Sequence, residues 1–285
     1  MKKSNSKIRW LTILVSVPIL IYVSILVRFF INQDKLLFQN QRVVQQPNIE
    51  KLDIQDIRIK TSDGEIIQAW YEPARPNRPT VLFFHGNATL LEMSKWRYLR
   101  MHKQGVGYLA IAYRGYGESS GTPSEAGILT DGIAAYEWLV AQRIRPENII
   151  IHGHSLGTGV ATHVASLKPA RALLLEAPFL SAPEVAKAHY PYLPIDLMMR
   201  NRFENKRRIH KVKMPLLIAH GTGDVVIPFS QGRSLFAMAN SPKKFVEMKN
   251  SDHNTLTRDG VYDHYWRFIG LVPMDFAPNI IIGAQ

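Results

Sequence analysis

The sequence predicts an α/β protein with a mostly parallel central sheet, and three observations carry that expectation. Six short apolar runs recur: TVLFFHG (80–86), GYLAIAY (107–113), NIIIHG (148–153), ALLLEA (172–177), PLLIAHG (215–221) and KFVEMK (244–249). Stretches with helical spacing lie among them, near 90–104, 125–143, 156–167, 229–240 and 260–270. Continuous apolar strands alternating with amphipathic helices mean a parallel sheet covered on both faces. The chain is 285 residues long and 46% hydrophobic, enough for one large undivided core.

The elements follow in order. Residues 1–9 read as a short basic tail, with Lys2, Lys3, Lys7 and Arg9. Residues 10–31 read as a transmembrane anchor. Trp10 to Val27 holds 18 residues without a charge, which at ~1.5 Å per residue covers most of a ~30 Å hydrocarbon core. Arg9 and Arg28 can snorkel at its ends, and Pro18 is tolerated within a membrane helix. A cleaved signal peptide would have a shorter apolar region and small residues at the cut, whereas Arg28-Phe-Phe-Ile follows here. The positive charge before the span places the N-terminus in the cytoplasm and the remaining chain in the periplasm, outside or in a lumen. Residues 32–50 read as a polar linker, and residues 51–285 as one large α/β domain. Ile57 and Ile59, then Ser62-Asp-Gly64, then Ile66 open that domain as an antiparallel hairpin.

One departure breaks the alternation. Residues 178–213 are too long for an ordinary loop and read as a small cap inserted over one end of the sheet. Within it, Arg200–Lys213 has seven Lys/Arg against a single acid, Glu204. That segment holds half of the chain's net charge of +12, so the positive charge is local. It is expected to be a solvated face or a membrane-facing basic patch. No zinc finger, RNA-binding aromatic signature or basic heptad region accompanies it, so nucleic acid is not an expected partner. The absence of cysteine excludes disulfides, Cys-ligated metals and palmitoyl anchoring. No cofactor or metal is expected.

The chemistry gathers at IIIHGHSLGTGVATHVA (149–165). G-x-S-x-G between a strand and a helix is a nucleophile elbow, a tight turn that exposes the serine hydroxyl. Gly153 and Gly157 are needed because side chains two residues either side of Ser155 would collide. GESSG (117–121) matches the same pattern around Ser119, but it sits in a glycine-rich loop with no strand before it, so Ser119 is expected to be a turn residue.

A serine hydroxyl needs a base, and on this kind of scaffold the partners follow in the order Ser, acid, His. Of ten histidines, only His253 and His264 lie beyond the last strand. His264 falls in an amphipathic helical stretch, while His253 stands in the polar loop NSDHN, so His253 is the expected base. Asp224, in the glycine-rich loop of LLIAHGTGDVVIP, is the expected acid, with Glu176 after ALLLEA as the alternative. His253 would take the Ser155 proton while Asp224 holds the imidazole tautomer. Two backbone N–H groups, of Leu156 and of Asn87 in the loop after VLFFHG, would stabilise the oxyanion.

FFHGNA, AIAYRGYGESSGTPSEAG, GHSLGTGVA, APF, YPYLPIDLMMRNRFENKRRI, MPLLIAHGTGDVVIPF and SDHN occur in that order. In this combination the chain resembles the α/β-hydrolase superfamily, and within it the membrane-anchored α/β-hydrolase domain-containing proteins of the member 12, 13 and 17 type and their bacterial serine aminopeptidase-like relatives. The resemblance spans roughly residues 35–270. It implies the α/β-hydrolase fold and hydrolysis of acyl esters or thioesters, with lysophospholipid or monoacylglycerol as candidate substrates. It departs from the depalmitoylating members, whose membrane-holding cysteine cluster has no counterpart here. Two alternatives stay open. A peptidase or amidase would need a carboxylate for a substrate amino group, for which Glu176 and Glu184 are the nearby acids. A catalytically silent membrane interaction protein could use the same fold.

Overall fold

A computed structural model describes residues 3–39, 49 and 52–274. It opens with helix α1 (Lys3–Leu37). The stretch Arg9–Leu37 is long and apolar enough to cross a membrane, and none of its most apolar window is buried against the protein. The helix runs on through 32–37, where a linker was expected. No proline or glycine interrupts it after Pro18, and its last turns have something to bind, as described below. The rest of the expected linker falls almost wholly outside the described residues.

Strands β1 (Gln55–Lys60) and β2 (Ile66–Glu72) form the antiparallel hairpin. Next come β3 (Thr80–Phe84), α2 (Lys95–Gln104), β4 (Gly107–Ile111), α3 (Glu125–Ala141), β5 (Ile149–His154), α4 (Gly157–Leu167) and β6 (Ala172–Glu176). The cap follows, with short helices α5 (Ala182–His189), α6 (Ile195–Met198) and α7 (Asn205–Arg208). The chain then returns through β7 (Leu216–Gly221), α8 (Phe229–Met238), β8 (Lys243–Met248) and α9 (Val261–Phe268).

The eight strands order as β1-β2-β4-β3-β5-β6-β7-β8, with β3 to β8 parallel to one another and β2 antiparallel to both its neighbours. Every residue of β3, β4, β5, β6 and β7 is buried, as expected for strands covered on both faces. Alternation along β5 shows the two layers. The ring of His152 meets Tyr262 and Tyr265 of α9. Gly153, next in the strand and so facing the other way, backs against Ala161 of α4.

The glycine-rich loop after β4 is held by charge. Arg114 donates to Asp131 on α3 and to Asp63 in the hairpin turn, at 2.7–3.0 Å. Ser119 is buried in this loop. Its hydroxyl donates to the Ala112 carbonyl at 2.7 Å and accepts the Gln68 N–H at 2.9 Å, so both its capacities serve the turn.

The cap's basic segment is largely answered from within. Arg200 pairs with Asp34 of α1, Arg202 with Glu204 and Asp196, Lys206 with Glu184, Arg207 with Glu204, and Arg208 with Glu125 of α3. The segment therefore presents less net charge to a surface than its composition implies.

Candidate active site

Ser155 stands between the end of β5 and the start of α4 with φ of +52°, a left-handed conformation that costs a non-glycine residue free energy and persists only where its surroundings impose it. Two constraints impose it. The Ser155 N–H donates to the Glu176 carbonyl on neighbouring β6 at 3.0 Å. On the other side the chain passes very close to β3: a Cβ on Gly157 would lie 2.1 Å from the Phe84 carbonyl oxygen. Only glycine fits there, and the turn is forced to project Ser155 at the sheet edge.

The structure brings Ser155, His253 and Asp224 together. The Ser155 Oγ lies 2.8 Å from Nε2 of His253, and His253 Nδ1 lies 2.7 Å from Oδ2 of Asp224. Asp224 sits in the loop after β7. Its Oδ1 accepts the N–H groups of Val226 and Ile227 at 2.9 and 2.8 Å. Burial pushes the Asp224 pKa up, but hydrogen bonds from His220 and His253 and from the Ile227 N–H outweigh it and hold the carboxyl well below its ordinary value. An ionised carboxylate only accepts, so Nδ1 of His253 carries the hydrogen and Nε2 is left to accept from Ser155.

His253 is fixed from behind by His154, whose Nε2–H donates to the His253 carbonyl at 3.1 Å. Burial, helped by the charge of Arg97, pushes the His154 pKa down to about 3. The neighbouring ring therefore stays neutral and does not repel positive charge developing on His253. The loop NSDHN is closed by Asp252, whose Oδ1 accepts the N–H groups of Asn254 and Thr255.

Asn87 lies in the loop after β3. Its side-chain Oδ1 accepts the Tyr116 hydroxyl and the Gln39 N–H, both at 3.0 Å. The Tyr113 hydroxyl holds the same loop through the His85 carbonyl at 2.9 Å. Gly86 brings the loop against the elbow, since a Cβ there would lie 3.3 Å from Ser155 Cβ. Among the described residues, no protein acceptor takes the backbone N–H of Asn87 or of Leu156.

Glu176 is committed elsewhere. Fully buried, it accepts a bidentate pair from Arg97 of α2 at 2.6 and 2.7 Å, and the Tyr265 hydroxyl at 3.2 Å. It does not reach His253. His264 lies on α9, with no hydrogen bond or ion pair to the trio among the described residues. Two participants escaped the sequence. His220 donates from Nε2 to the Ile227 carbonyl at 3.0 Å and approaches Asp224 Oδ2 at 3.2 Å. Its position four residues before Asp224 was the available signal. Arg97 gave none, because nothing in an amphipathic helix marks one arginine for burial. Among the described residues no group of His, Asp and Glu is arranged to hold a metal ion.

Comparison with known proteins identifies the family. The model of the alpha/beta hydrolase family matches residues 81–241. The chain is 36% identical over 202 residues to an uncharacterised Mycobacterium tuberculosis protein, covering 70% of this chain and 72% of that one. It is 36% identical over 195 residues to the lysophosphatidylserine lipase ABHD12 of Danio rerio, covering 61% of this chain and 51% of the relative. It therefore spans about half the length of that lipase. Among solved structures, the Pyrococcus furiosus esterase Pf2001 superposes with a TM-score of 0.63 at 19% identity, covering 81% of this chain and 96% of that one. The hydrolase GrgF from Penicillium sp. sh18 does so with a TM-score of 0.62 at 17% identity, covering 76% and 98%. With a serine on a strained strand-to-helix turn, a parallel sheet beneath it and a family model over most of the domain, the chain belongs to the α/β-hydrolase family.

Proposed function

We propose that this protein is a membrane-anchored serine hydrolase that cleaves acyl esters of lipids, with Ser155 as nucleophile, His253 as base and Asp224 as the acid that orients it. The observation that carries the reading is the unbroken hydrogen-bonded line from the Ser155 hydroxyl through His253 to an ionised Asp224. His253 takes the hydroxyl proton as Oγ attacks the acyl carbon. The resulting oxyanion is met by the N–H groups of Asn87 and Leu156, donors with no protein acceptor among the described residues, and a hole of this kind contributes ~10²–10³ in rate. His253 then gives its proton to the leaving alcohol. Water, deprotonated by the same imidazole, releases the acid and restores Ser155.

The lipid substrate is supported by two things: similarity to relatives named lysophosphatidylserine lipase, and the long apolar helix at the N-terminus. Lysophospholipids and monoacylglycerols, with one acyl chain, are the substrates in view. The peptidase alternative is less favoured, because the two acids it would use are already paired, Glu176 with Arg97 and Glu184 with Lys206 and Lys187. The basic residues ahead of the span favour a cytoplasmic N-terminus with the domain across the membrane, which a topology reporter fused at Gln285 tests.

Fluorophosphonate labelling of the full chain in detergent micelles tests the chemistry. Labelling is expected for the parent protein and lost in Ser155→Ala. A folded parent that takes no label would leave a silent interaction protein as the better reading.

A further inference from the structure

The last turns of α1 are bolted to the cap. Asp34 pairs with Arg200 at 2.8 Å and accepts the Asn201 amide at 2.6 Å. Gln33 donates to the Met198 carbonyl at 3.2 Å and accepts the Arg200 N–H at 2.8 Å. The Arg200 guanidinium lies over the Phe30 ring, and Phe38 meets the buried Phe203 edge-on. A helix tied at this many points cannot swing freely against the cap.

The contact then continues backward into the apolar stretch. The Phe29 ring packs on Tyr190, and the Tyr22 hydroxyl donates to the Tyr192 carbonyl at 2.8 Å. Tyr22 lies six residues ahead of Arg28, the charge that closes the apolar stretch, which is about 9 Å along a helix axis. The cap touches α1 at a depth that belongs to the membrane, within the ~5–10 Å at which apolar side chains settle at the headgroup–acyl boundary.

The cap surface beside that contact carries apolar side chains that stay largely exposed. Leu197 is 89% exposed, Tyr192 63% and Tyr190 45%. The patch reaches the site. His189 donates to the Val226 carbonyl at 2.9 Å, which joins the end of α5 to the loop that carries Asp224. Val225, next to that aspartate, is 80% exposed. The nearby charges are paired among themselves, Asp196 with Lys187 and Arg202.

We propose that Tyr190, Tyr192, Leu197, Val225 and Val226 form a lip sunk into the apolar edge of the bilayer, so that an acyl substrate reaches Ser155 from the membrane and not from water. The proposal rests on α1 being a membrane anchor. It assigns the membrane contact to apolar side chains and not to the basic segment. Leu197 in particular is left 89% exposed by the described residues, and continuity with the anchor supplies a bilayer to cover it.

The absence of cysteine makes the test clean. Three single variants of the full chain, Leu14→Cys in the anchor, Leu197→Cys in the lip and Arg145→Cys, are each labelled with an environment-sensitive fluorophore. Arg145 is exposed and precedes β5, at the opposite end of that strand from Ser155. The proteins are placed in liposomes of phosphatidylcholine and phosphatidylserine. Quenching is measured with lipids carrying a nitroxide on the acyl chain and with aqueous iodide. The labels at 14 and 197 are expected to be quenched severalfold more by the nitroxide lipid than the label at 145, and shielded from iodide. If the label at 197 behaves like that at 145 while 14 stays lipid-quenched, the lip is wrong and the anchor stands. If 14 also behaves like 145, anchor and lip fall together. Fluorophosphonate labelling of the same liposomes reports the hydrolase reading separately.

Discussion

Replacing Asp224 by asparagine tests the site with almost no change in shape. Oδ1 of Asp224 accepts two backbone N–H groups, from Val226 and Ile227. The amide oxygen of the variant must stay there, because its NH₂ would otherwise face two donors. The NH₂ is thereby turned toward His253 Nδ1, where Oδ2 now accepts. Two donors cannot share that contact, so Nδ1 gives up its hydrogen and Nε2 takes one. His253 then presents an N–H to Ser155 and can no longer accept the hydroxyl proton. His220, 3.2 Å from the same oxygen, then faces an NH₂ in place of a carboxylate and keeps only the Ile227 carbonyl as acceptor. A wrong-tautomer triad has been worth about 10⁴ in kcat in a serine protease of another fold, or about 5 kcal/mol of transition-state stabilisation. The expectation here is a fall of that order in hydrolysis of a soluble p-nitrophenyl ester by the full chain in detergent, with KM little changed and the unfolding temperature close to the parent's. Glu176→Gln, in parallel, should lower the unfolding temperature more than kcat. The reasoning fails if Asp224→Asn keeps more than a tenth of the parent rate, above all if Glu176→Gln is the inactive variant.

Three further outcomes follow from the same contacts. Arg97→Met strands a buried carboxylate, which should cost about 3–5 kcal/mol and lower the midpoint of thermal unfolding by on the order of 10 °C. Burial pushes the Glu176 pKa up, and the charge and hydrogen bonds of Arg97 outweigh it, so the parent's carboxyl titrates well below 4.5. A depressed folded pKa means the pair stabilises above the unfolded value and loses that contribution as pH falls. Unpaired Glu176 would instead protonate readily, so the gap between parent and Arg97→Met should narrow from pH 7 toward pH 4. A gap that widens would refute the assignment. His220→Phe removes the N–H that lies between the Ile227 carbonyl and the ionised Asp224; a hydrogen bond to a charged group is an interaction of about 1.5–3 kcal/mol, so the loss should lower kcat/KM by up to roughly tenfold to a hundredfold. His220→Gln, which can still donate, should recover part of that loss. Gly157→Ala would push a methyl group to within 2.1 Å of the Phe84 carbonyl; the variant is expected to unfold several degrees lower and to lose fluorophosphonate labelling, whereas Ser119→Ala should keep its labelling.

Much of this molecule was legible in the chain because the governing constraints are local. A buried parallel strand announces itself as an unbroken apolar run, and all five strands from β3 to β7 are buried at every residue. The elbow is equally local, since Gly153, Ser155 and Gly157 restrict one another across four residues. The apolar stretch of α1 needs only its own composition to be read. Charge was another matter. A carboxylate or guanidinium takes its role from the partner that neutralises it, and here the partners are far along the chain. Glu176 and Asp224 looked like competitors until Arg97, from a helix before β4, occupied the first and left the second to His253. The basic segment looked like an exposed patch until Asp34, Glu125 and Glu184 answered it. The end of α1 looked like linker until Gln33 and Asp34 found the cap. Periodicity and turn chemistry determined the fold and the strained elbow that carries Ser155 from the sequence alone. The tertiary structure decided which acid is free and which charges are spent, because each depends on a contact that forms only when distant segments meet.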